Sequence, residues 1–264
     1  MYKFNYQRPT SVDEAIAQFE AAEDPKFVSG GMTLLPTMKL RLAQPSDLID
    51  LNAVSGITGI EATDESVTIG AGTRHGDVAA SEVVRGLIPA LAHLADSIGD
   101  PQVRNRGTIG GSVANNDPAA DYPAGVVGLN ATVVTDRREI PADEFFAGMF
   151  ETVLAADEII IAVRFPVPKR AAYVKFPNPA SRYAIVGVMV AECSDAIRVA
   201  VTGAGACVFR FAAMEAALGE DFSVDAIKAI ACDADGLNED IHASAEYRAH
   251  LVGVLAQRAV TAAG

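Results

Sequence analysis

Two short segments combine glycines with hydroxyl side chains in an order that suits phosphate binding. The first is Ser-Gly-Gly-Met-Thr at residues 29–33, and the second is Thr-Ile-Gly-Gly-Ser at residues 108–112. Glycine lacks a Cβ, so backbone N–H groups can come close to phosphate oxygens, and serine and threonine add hydroxyl donors. Together the two segments could hold a diphosphate from two sides. Each is also compatible with an ordinary tight turn.

The neighbouring residues indicate which elements position these segments. Residues 26–28 (KFV) predict a short strand before the first segment, and Leu34, Leu35, Met38 and Leu40 predict a helix after it, with Pro36 in the first turn. The N-terminus of that helix would add a favourable dipole for an anion. The second segment lies in a stretch at 99–123 rich in Gly, Asn, Asp and Pro, which predicts a long functional loop. Neither segment has the GxGxxG pattern of a Rossmann site.

Composition excludes several other classes of function. The 264-residue chain has a formal net charge of -13, which disfavours binding to nucleic acids and to anionic membranes. No apolar stretch is long enough for a membrane span, and the N-terminus has no signal-peptide pattern, so we expect a cytoplasmic protein. The three cysteines and four histidines show no metal-binding or iron-sulfur spacing, so we expect no metal site.

The remaining pattern predicts an α+β organisation with a domain boundary near residue 167. Ser11 and Glu14 form a capping box for a helix over residues 11–22. Strands are predicted at 47–51, 66–72, 131–135 and 158–166, with a helix at about 83–98. After two prolines near 167, three consecutive strands precede helices, which is typical of one antiparallel sheet packed on helices.

The order of these motifs resembles the FAD-binding medium subunits of the molybdenum hydroxylases, of which carbon monoxide dehydrogenase is the familiar type. The resemblance covers nearly the whole chain, and its most specific part is RGTIGGSVANNDPAADYP at 106–123. It implies a two-lobed FAD-binding domain of the vanillyl-alcohol-oxidase (PCMH) type at residues 1–167, with lobes at about 1–55 and 56–167. A small flavoprotein C-terminal domain at 168–264, with a three-stranded antiparallel sheet, is implied to follow it.

The resemblance also implies a set of residues that contact non-covalently bound FAD. The two glycine segments would hold the diphosphate, Asp121 would contact the cofactor, Ile160 would make an apolar contact, Lys175 would lie near the isoalloxazine edge, and Tyr183 would shield one face of the ring. The complete set is Ser29, Gly30, Gly31, Met32, Thr33, Thr108, Ile109, Gly110, Gly111, Ser112, Asp121, Ile160, Lys175 and Tyr183. Family members more often have Gln or His at the position of Met32, so one side-chain donor is expected to be missing.

Some of these residues have an equally simple structural explanation. Asp121 is compatible with a turn or a helix cap, Lys175 with a solvated strand position, and Tyr183 with a core or sheet-edge position. The resemblance to the family is what favours the binding interpretation.

As a member of this family the chain would be an oxidoreductase subunit without a catalytic residue of its own. A molybdopterin-binding large subunit would oxidise the substrate, a small subunit with [2Fe-2S] clusters would relay electrons to FAD on this chain, and an external acceptor would receive them. Two alternatives are a stand-alone FAD oxidoreductase of the same fold and an assembly protein without FAD. The substrate and the final acceptor are not indicated by the sequence.

Overall fold

The computed structural model describes all residues from Met1 to Gly264. The N-terminal part is a small lobe around a three-stranded parallel sheet in the order β1-β3-β2. Its elements are β1 (Asn5–Gln7), α1 (Val12–Glu20), β2 (Pro25–Val28), α2 (Leu34–Lys39) and β3 (Asp47–Asp50). The predicted helix at 11–22 is found as α1, and its capping residue is confirmed because the Ser11 side chain accepts a hydrogen bond from the Glu14 amide.

The second part is built on a five-stranded antiparallel sheet in the order β4-β5-β10-β6-β7. Its elements are β4 (Ile60–Ala62), β5 (Ser66–Gly70), α3 (His75–Ala80), α4 (Glu82–Leu87), α5 (Pro89–Asp96), α6 (Pro101–Arg104), α7 (Ile109–Asn115), α8 (Tyr122–Gly128), β6 (Thr132–Thr135), β7 (Glu139–Pro141), α9 (Ala142–Phe145), β8 (Phe146–Gly148), β9 (Glu151–Thr152) and β10 (Ile160–Pro166). All five predicted strands of the first 167 residues, including the one at 26–28, are therefore present, with small shifts of their ends.

Two predictions for the helical regions need correction. The single helix expected at about 83–98 is two helices, α4 and α5, because Pro89 lacks an amide proton and begins a new helix. The stretch at 99–123 is not a long loop but contains α6, α7 and the start of α8. The side chains of Asp100 and Thr108 accept hydrogen bonds from the amides of Val103 and Gly111, and these caps start two of the helices.

The C-terminal part is a four-stranded antiparallel sheet covered by helices, in the strand order β11-β12-β13-β14. Its elements are β11 (Arg170–Pro177), β12 (Ala184–Glu192), β13 (Ile197–Thr202), β14 (Phe209–Arg210), α10 (Ala212–Glu220), α11 (Val224–Ile227) and α12 (Ala245–Ala263). The expected sheet of three strands thus has a fourth. β14 is only two residues long and pairs with Ala200 and Val201, which is too short to leave a pattern in the sequence.

The C-terminal sheet is buried on both faces, which explains the nearly continuous apolar run of β12. Val188 and Val190 pack in one core with α12, whereas Met189 and Ala191 pack in the core that contains α5 and α8. The ends of β12 and β13 are thereby held beside the second part of the chain. No helix is both long enough and apolar enough to cross a membrane.

Candidate functional site

Both glycine segments line one large cleft of about 1020 Å³. Twelve residues of the predicted set lie on its surface: Ser29, Gly30, Gly31, Met32, Thr33, Thr108, Gly110, Gly111, Ser112, Asp121, Ile160 and Tyr183. The other two do not, because Ile109 is fully buried and Lys175 lines a different, smaller cavity of about 440 Å³. A cleft of this size is large enough for a cofactor.

The two glycine segments touch each other directly. A Cβ atom on Gly30 would lie 2.3 Å from the carbonyl oxygen of Arg106 and 2.7 Å from the Cα of Gly107, so a larger residue does not fit there. The hydroxyl of Thr108 donates a hydrogen bond of 3.1 Å to the Ser29 hydroxyl. Glycine at position 30 is therefore needed for close packing, and the two segments form one continuous wall of the cleft.

The first segment presents free backbone donors to the cleft. The amides of Gly30, Gly31, Met32 and Thr33 donate to no atom of the chain. Gly31 has a φ of 71°, a left-handed conformation that glycine adopts without strain. Consecutive unpaired amides around such a residue form a concave site for an anion. Met32 contributes its amide in the same way as any other residue, although its side chain offers no donor.

The second segment differs from the expectation that both loops would present free amides. All four amides of residues 109–112 have acceptors within the chain. The Gly110 amide, for example, donates to the Ala71 carbonyl at 2.8 Å. A Cβ on Gly110 would lie 2.5 Å from the Cβ of Ala71, so this glycine permits close packing of α7 on the end of β5. The second segment therefore supports the first and offers surface and hydroxyl groups.

Asp121 and Lys175 form a buried ion pair beside the cleft. The Lys175 Nζ lies 2.9 Å from Asp121 Oδ1, and the two side chains are only 7% and 4% exposed. The Tyr173 hydroxyl donates a further hydrogen bond of 2.6 Å to the same carboxylate. Burial raises the pKa of the Asp121 carboxyl, while the Lys175 ammonium and the Tyr173 hydroxyl oppose that rise. Lys175 is thus paired within the chain and does not line the main cleft.

Tyr183 and Ile160 line the cleft from the ends of two different sheets. Tyr183 immediately precedes β12, and its hydroxyl accepts a hydrogen bond of 3.1 Å from Asn178 Nδ2. Its ring lies 6.2 Å from the His242 ring in an edge-on arrangement. Ile160 begins β10 next to an irregularity in the strand pairing, and its side chain is buried. These two side chains offer an aromatic face and an apolar surface.

The cleft also contains residues that the sequence analysis missed. His75 lines the cleft, and its Nδ1 is buried without a hydrogen-bond partner. Burial lowers the pKa of His75 from 6.5 to about 4, with a smaller contribution from the positive charge of Arg104. A Cβ on Gly107 would lie 2.5 Å from its Nε2, so the imidazole backs the turn before the second segment. Arg248 of α12 also lines the cleft and pairs with Asp240 at 2.8 Å. Single residues so far apart leave no spacing signal in the sequence.

Comparison with known proteins identifies the family. Residues 2–168 match the family described as the FAD binding domain in molybdopterin dehydrogenase. The chain therefore belongs to the FAD-binding medium subunits of the molybdenum hydroxylase family, as the motifs predicted.

Individual relatives cover almost the whole chain. It is 36% identical to the carbon monoxide dehydrogenase medium chain of Hydrogenophaga pseudoflava, over 99% of this chain and 97% of the relative. It is 38% identical to the nicotine 6-hydroxylase medium subunit of Paenarthrobacter nicotinovorans, over 98% and 96%. The solved carbon monoxide dehydrogenase from H. pseudoflava superposes with a TM-score of 0.90 at 37% identity, over 99% of this chain and 97% of that chain. These relatives confirm the FAD-binding α+β fold and the oxidoreductase family.

The cleft has the groups that FAD requires. The unpaired amides of residues 30–33 suit its diphosphate, and the absence of a Cβ at Gly30 lets the two segments pack closely behind those amides. Apolar residues such as Ile160 and the ring of Tyr183 offer surfaces for its flat rings. The residues present therefore fit the cofactor that the family binds.

Proposed function

We propose that this chain is the FAD-carrying electron-transfer subunit of a heteromeric molybdenum hydroxylase. It would receive electrons from the [2Fe-2S] clusters of a small subunit and pass them to an external acceptor, while a molybdopterin-binding large subunit oxidises the substrate. The observation that carries the proposal is the row of unpaired amides at residues 30–33 in a cleft of cofactor size. FAD, when bound, supplies the ability to take up and release electrons.

The proposed roles of the site residues follow from their positions. The amides of residues 30–33 bind the diphosphate, and the hydroxyl groups of Ser29 and Ser112 add donors. Thr108 orients the Ser29 hydroxyl by donating a hydrogen bond to it. Tyr183 covers one face of the isoalloxazine ring and excludes water from it. Asp121 contacts the cofactor from the cleft wall, and Lys175 acts through its ion pair with Asp121 because it does not reach the cleft surface.

The relatives support a multi-subunit assembly but leave its substrate open. They are described as medium chains or subunits of enzymes that act on molecules as different as carbon monoxide and nicotine. A substrate site in another chain would account for this variety on one shared fold. The proposal includes a domain boundary at about residue 167, which lies next to the end of the family match. It also includes a cytoplasmic location.

The visible spectrum of the purified full chain tests the proposal. We expect flavin absorption without iron-sulfur features and no substrate turnover by the chain alone. Turnover should appear when the chain is combined with its large and small partner subunits. Turnover by the isolated chain would instead identify a stand-alone flavin enzyme. A chain that cannot take up FAD even when the cofactor is added in excess would identify an assembly protein.

A further inference from the structure

Two large apolar side chains stand exposed at the edge of the cleft. Met149 and Phe150 form the turn between β8 and β9, and both line the cleft. The two residues remain 53% and 57% exposed. When a ligand covers two adjacent apolar side chains on the wall of a binding cleft, the burial of their surface favours binding.

The backbone of this turn is strained. Phe150 has a φ of 56°, which places a bulky residue in the left-handed region that normally favours glycine. Such a conformation costs on the order of 1–2 kcal/mol and persists only where the surrounding contacts impose it. The chain thus keeps an aromatic side chain at a position where glycine would be more stable, and this indicates a role for the side chain outside the fold.

A single buried asparagine makes three hydrogen bonds with this turn. The Asn116 Nδ2 donates to the carbonyl oxygens of Gly148 and Glu151, each at 2.8 Å, and the Phe150 amide donates to the Asn116 carbonyl at 3.1 Å. Asn116 is fully buried and ends α7, the helix that begins with the second glycine segment. The turn is therefore tied to the same helix that supports the phosphate-binding wall.

We propose that the Met149–Phe150 turn is a further part of the FAD site, and that Asn116 is the positioning residue that holds it in place. The apolar side chains of the turn pack against a flat ring of FAD in the cleft. This inference rests on the proposed function, because it takes FAD as the occupant of the cleft.

A glycine at position 150 separates a structural role from a binding role. Phe150→Gly relieves the left-handed strain, so the melting temperature of the FAD-free chain should not fall. The same change removes the ring contact, so the dissociation constant for FAD should rise about 10-fold in a fluorescence titration. An unchanged FAD affinity would overturn the proposal for the turn.

The role of Asn116 is tested with a matched pair of variants. Asn116→Gly keeps a residue that tolerates the left-handed φ of 42° but removes both side-chain hydrogen bonds. Asn130→Gly is the control, because Asn130 has a φ of 54°, does not line the cleft and only makes a 3.4 Å contact with Asp195. Only Asn116→Gly should speed hydrogen exchange of residues 146–152 in the FAD-free chain and weaken FAD binding about 10-fold.

The outcomes distinguish this inference from the proposed function. Faster exchange in Asn116→Gly with unchanged FAD affinity would overturn the positioning role, and unchanged exchange would show that Asn116 does not hold the turn. A wild-type chain that takes up no FAD would overturn the proposed function and with it the ring contact. The exchange comparison between the two asparagine variants would still decide whether Asn116 holds the turn.

Discussion

At the scale of single residues, the buried pair of Asp121 and Lys175 sets the charge beside the cleft. A free lysine there would attract negative charge in the cleft, whereas a lysine paired at 2.9 Å with a carboxylate adds no net charge. Lys175 therefore fixes the position of the Asp121 side chain and does not supply positive charge to the cleft. Removing one partner leaves the other buried without compensation, which is more costly than never having the pair.

Lys175→Met should lower the free energy of unfolding at pH 7 by about 3 kcal/mol, because it leaves the Asp121 carboxylate buried without its counter-ion. Burial already raises the pKa of Asp121, and loss of the lysine raises it further. A folded carboxyl with a raised pKa binds a proton more readily than the unfolded one, so the deficit should shrink as the pH falls from 7 towards 4. Urea unfolding of the variant and the wild type at several pH values measures this difference in unfolding free energy.

The control for this prediction is Lys169→Met. Lys169 pairs with Glu192 at 3.2 Å, but its side chain is 65% exposed, so its loss should change stability little. Equal effects of the two lysine variants would contradict the importance of the buried pair.

His75 should make the stability of the chain depend on acid pH. The unfolded imidazole takes up a proton near pH 6.5, whereas the buried one does so only at about pH 4, so stability present above pH 6.5 is lost as the pH falls between these values. The expected loss is on the order of 3 kcal/mol. His75→Leu removes this titration and should flatten the curve of unfolding free energy against pH. Parallel curves for the variant and the wild type would contradict the assignment.

At the scale of elements, the contact between the two glycine segments determines whether the cleft wall can form. Gly30→Ala places a methyl group 2.3 Å from the Arg106 carbonyl oxygen, so the segments must move apart. We expect a loss of about 1–3 kcal/mol in stability and a lower ratio of flavin to protein in the purified chain. Melting temperature and flavin absorbance measure the two effects.

Gly86→Ala is the matched control for Gly30→Ala. Gly86 lies in α4, and a Cβ there would meet nothing within 4 Å. Alanine favours a helix over glycine by roughly 0.5–1 kcal/mol, so this variant should be slightly more stable and keep its flavin. Full flavin content in Gly30→Ala would show that the segments tolerate separation.

The elements also show how far local patterns reach. The helix α1 and the strand β12 were predictable because a capping box and a run of apolar residues act within a few residues of chain. The stretch at 99–123 was wrongly predicted as a loop because its helices are short and bury small residues against other parts of the chain. Gly107 and Gly110, for example, make close contacts with His75 and Ala71.

At the scale of the whole molecule, the main core joins the two predicted domains. Met189 and Ala200 of the C-terminal sheet belong to the same cluster of 33 buried residues as Leu91 and Val126. Arg198 strengthens this connection, since its buried side chain donates to the Val127 carbonyl at 2.8 Å. A shared core of this kind couples the two regions during unfolding.

We therefore expect a single calorimetric unfolding transition for the full chain. Met189→Ala removes a fully buried side chain from the shared core and should cost about 2–5 kcal/mol. The transition should move to lower temperature without splitting, with residues 56–167 and 168–264 losing hydrogen-exchange protection together. Two separate transitions would show that the regions are energetically independent.

The sequence by itself determined the class of the protein and most of its elements. Helix caps and glycine turns depend on a few neighbouring residues, and the order of the motifs can be compared directly with that of a known family. These features led to the FAD-binding family and to twelve residues that line the cleft. These features depend on the identity of neighbouring residues and not on their distant partners.

Only the tertiary structure decided which groups are available in the cleft. It left the amides of residues 30–33 free but used those of residues 109–112, and it paired Lys175 with a carboxylate 54 residues away. It also tied Phe150 to Asn116 through hydrogen bonds that span more than 30 residues. The physical reason is that a polar group is free only if no distant part of the chain satisfies it, and folding alone brings such parts together.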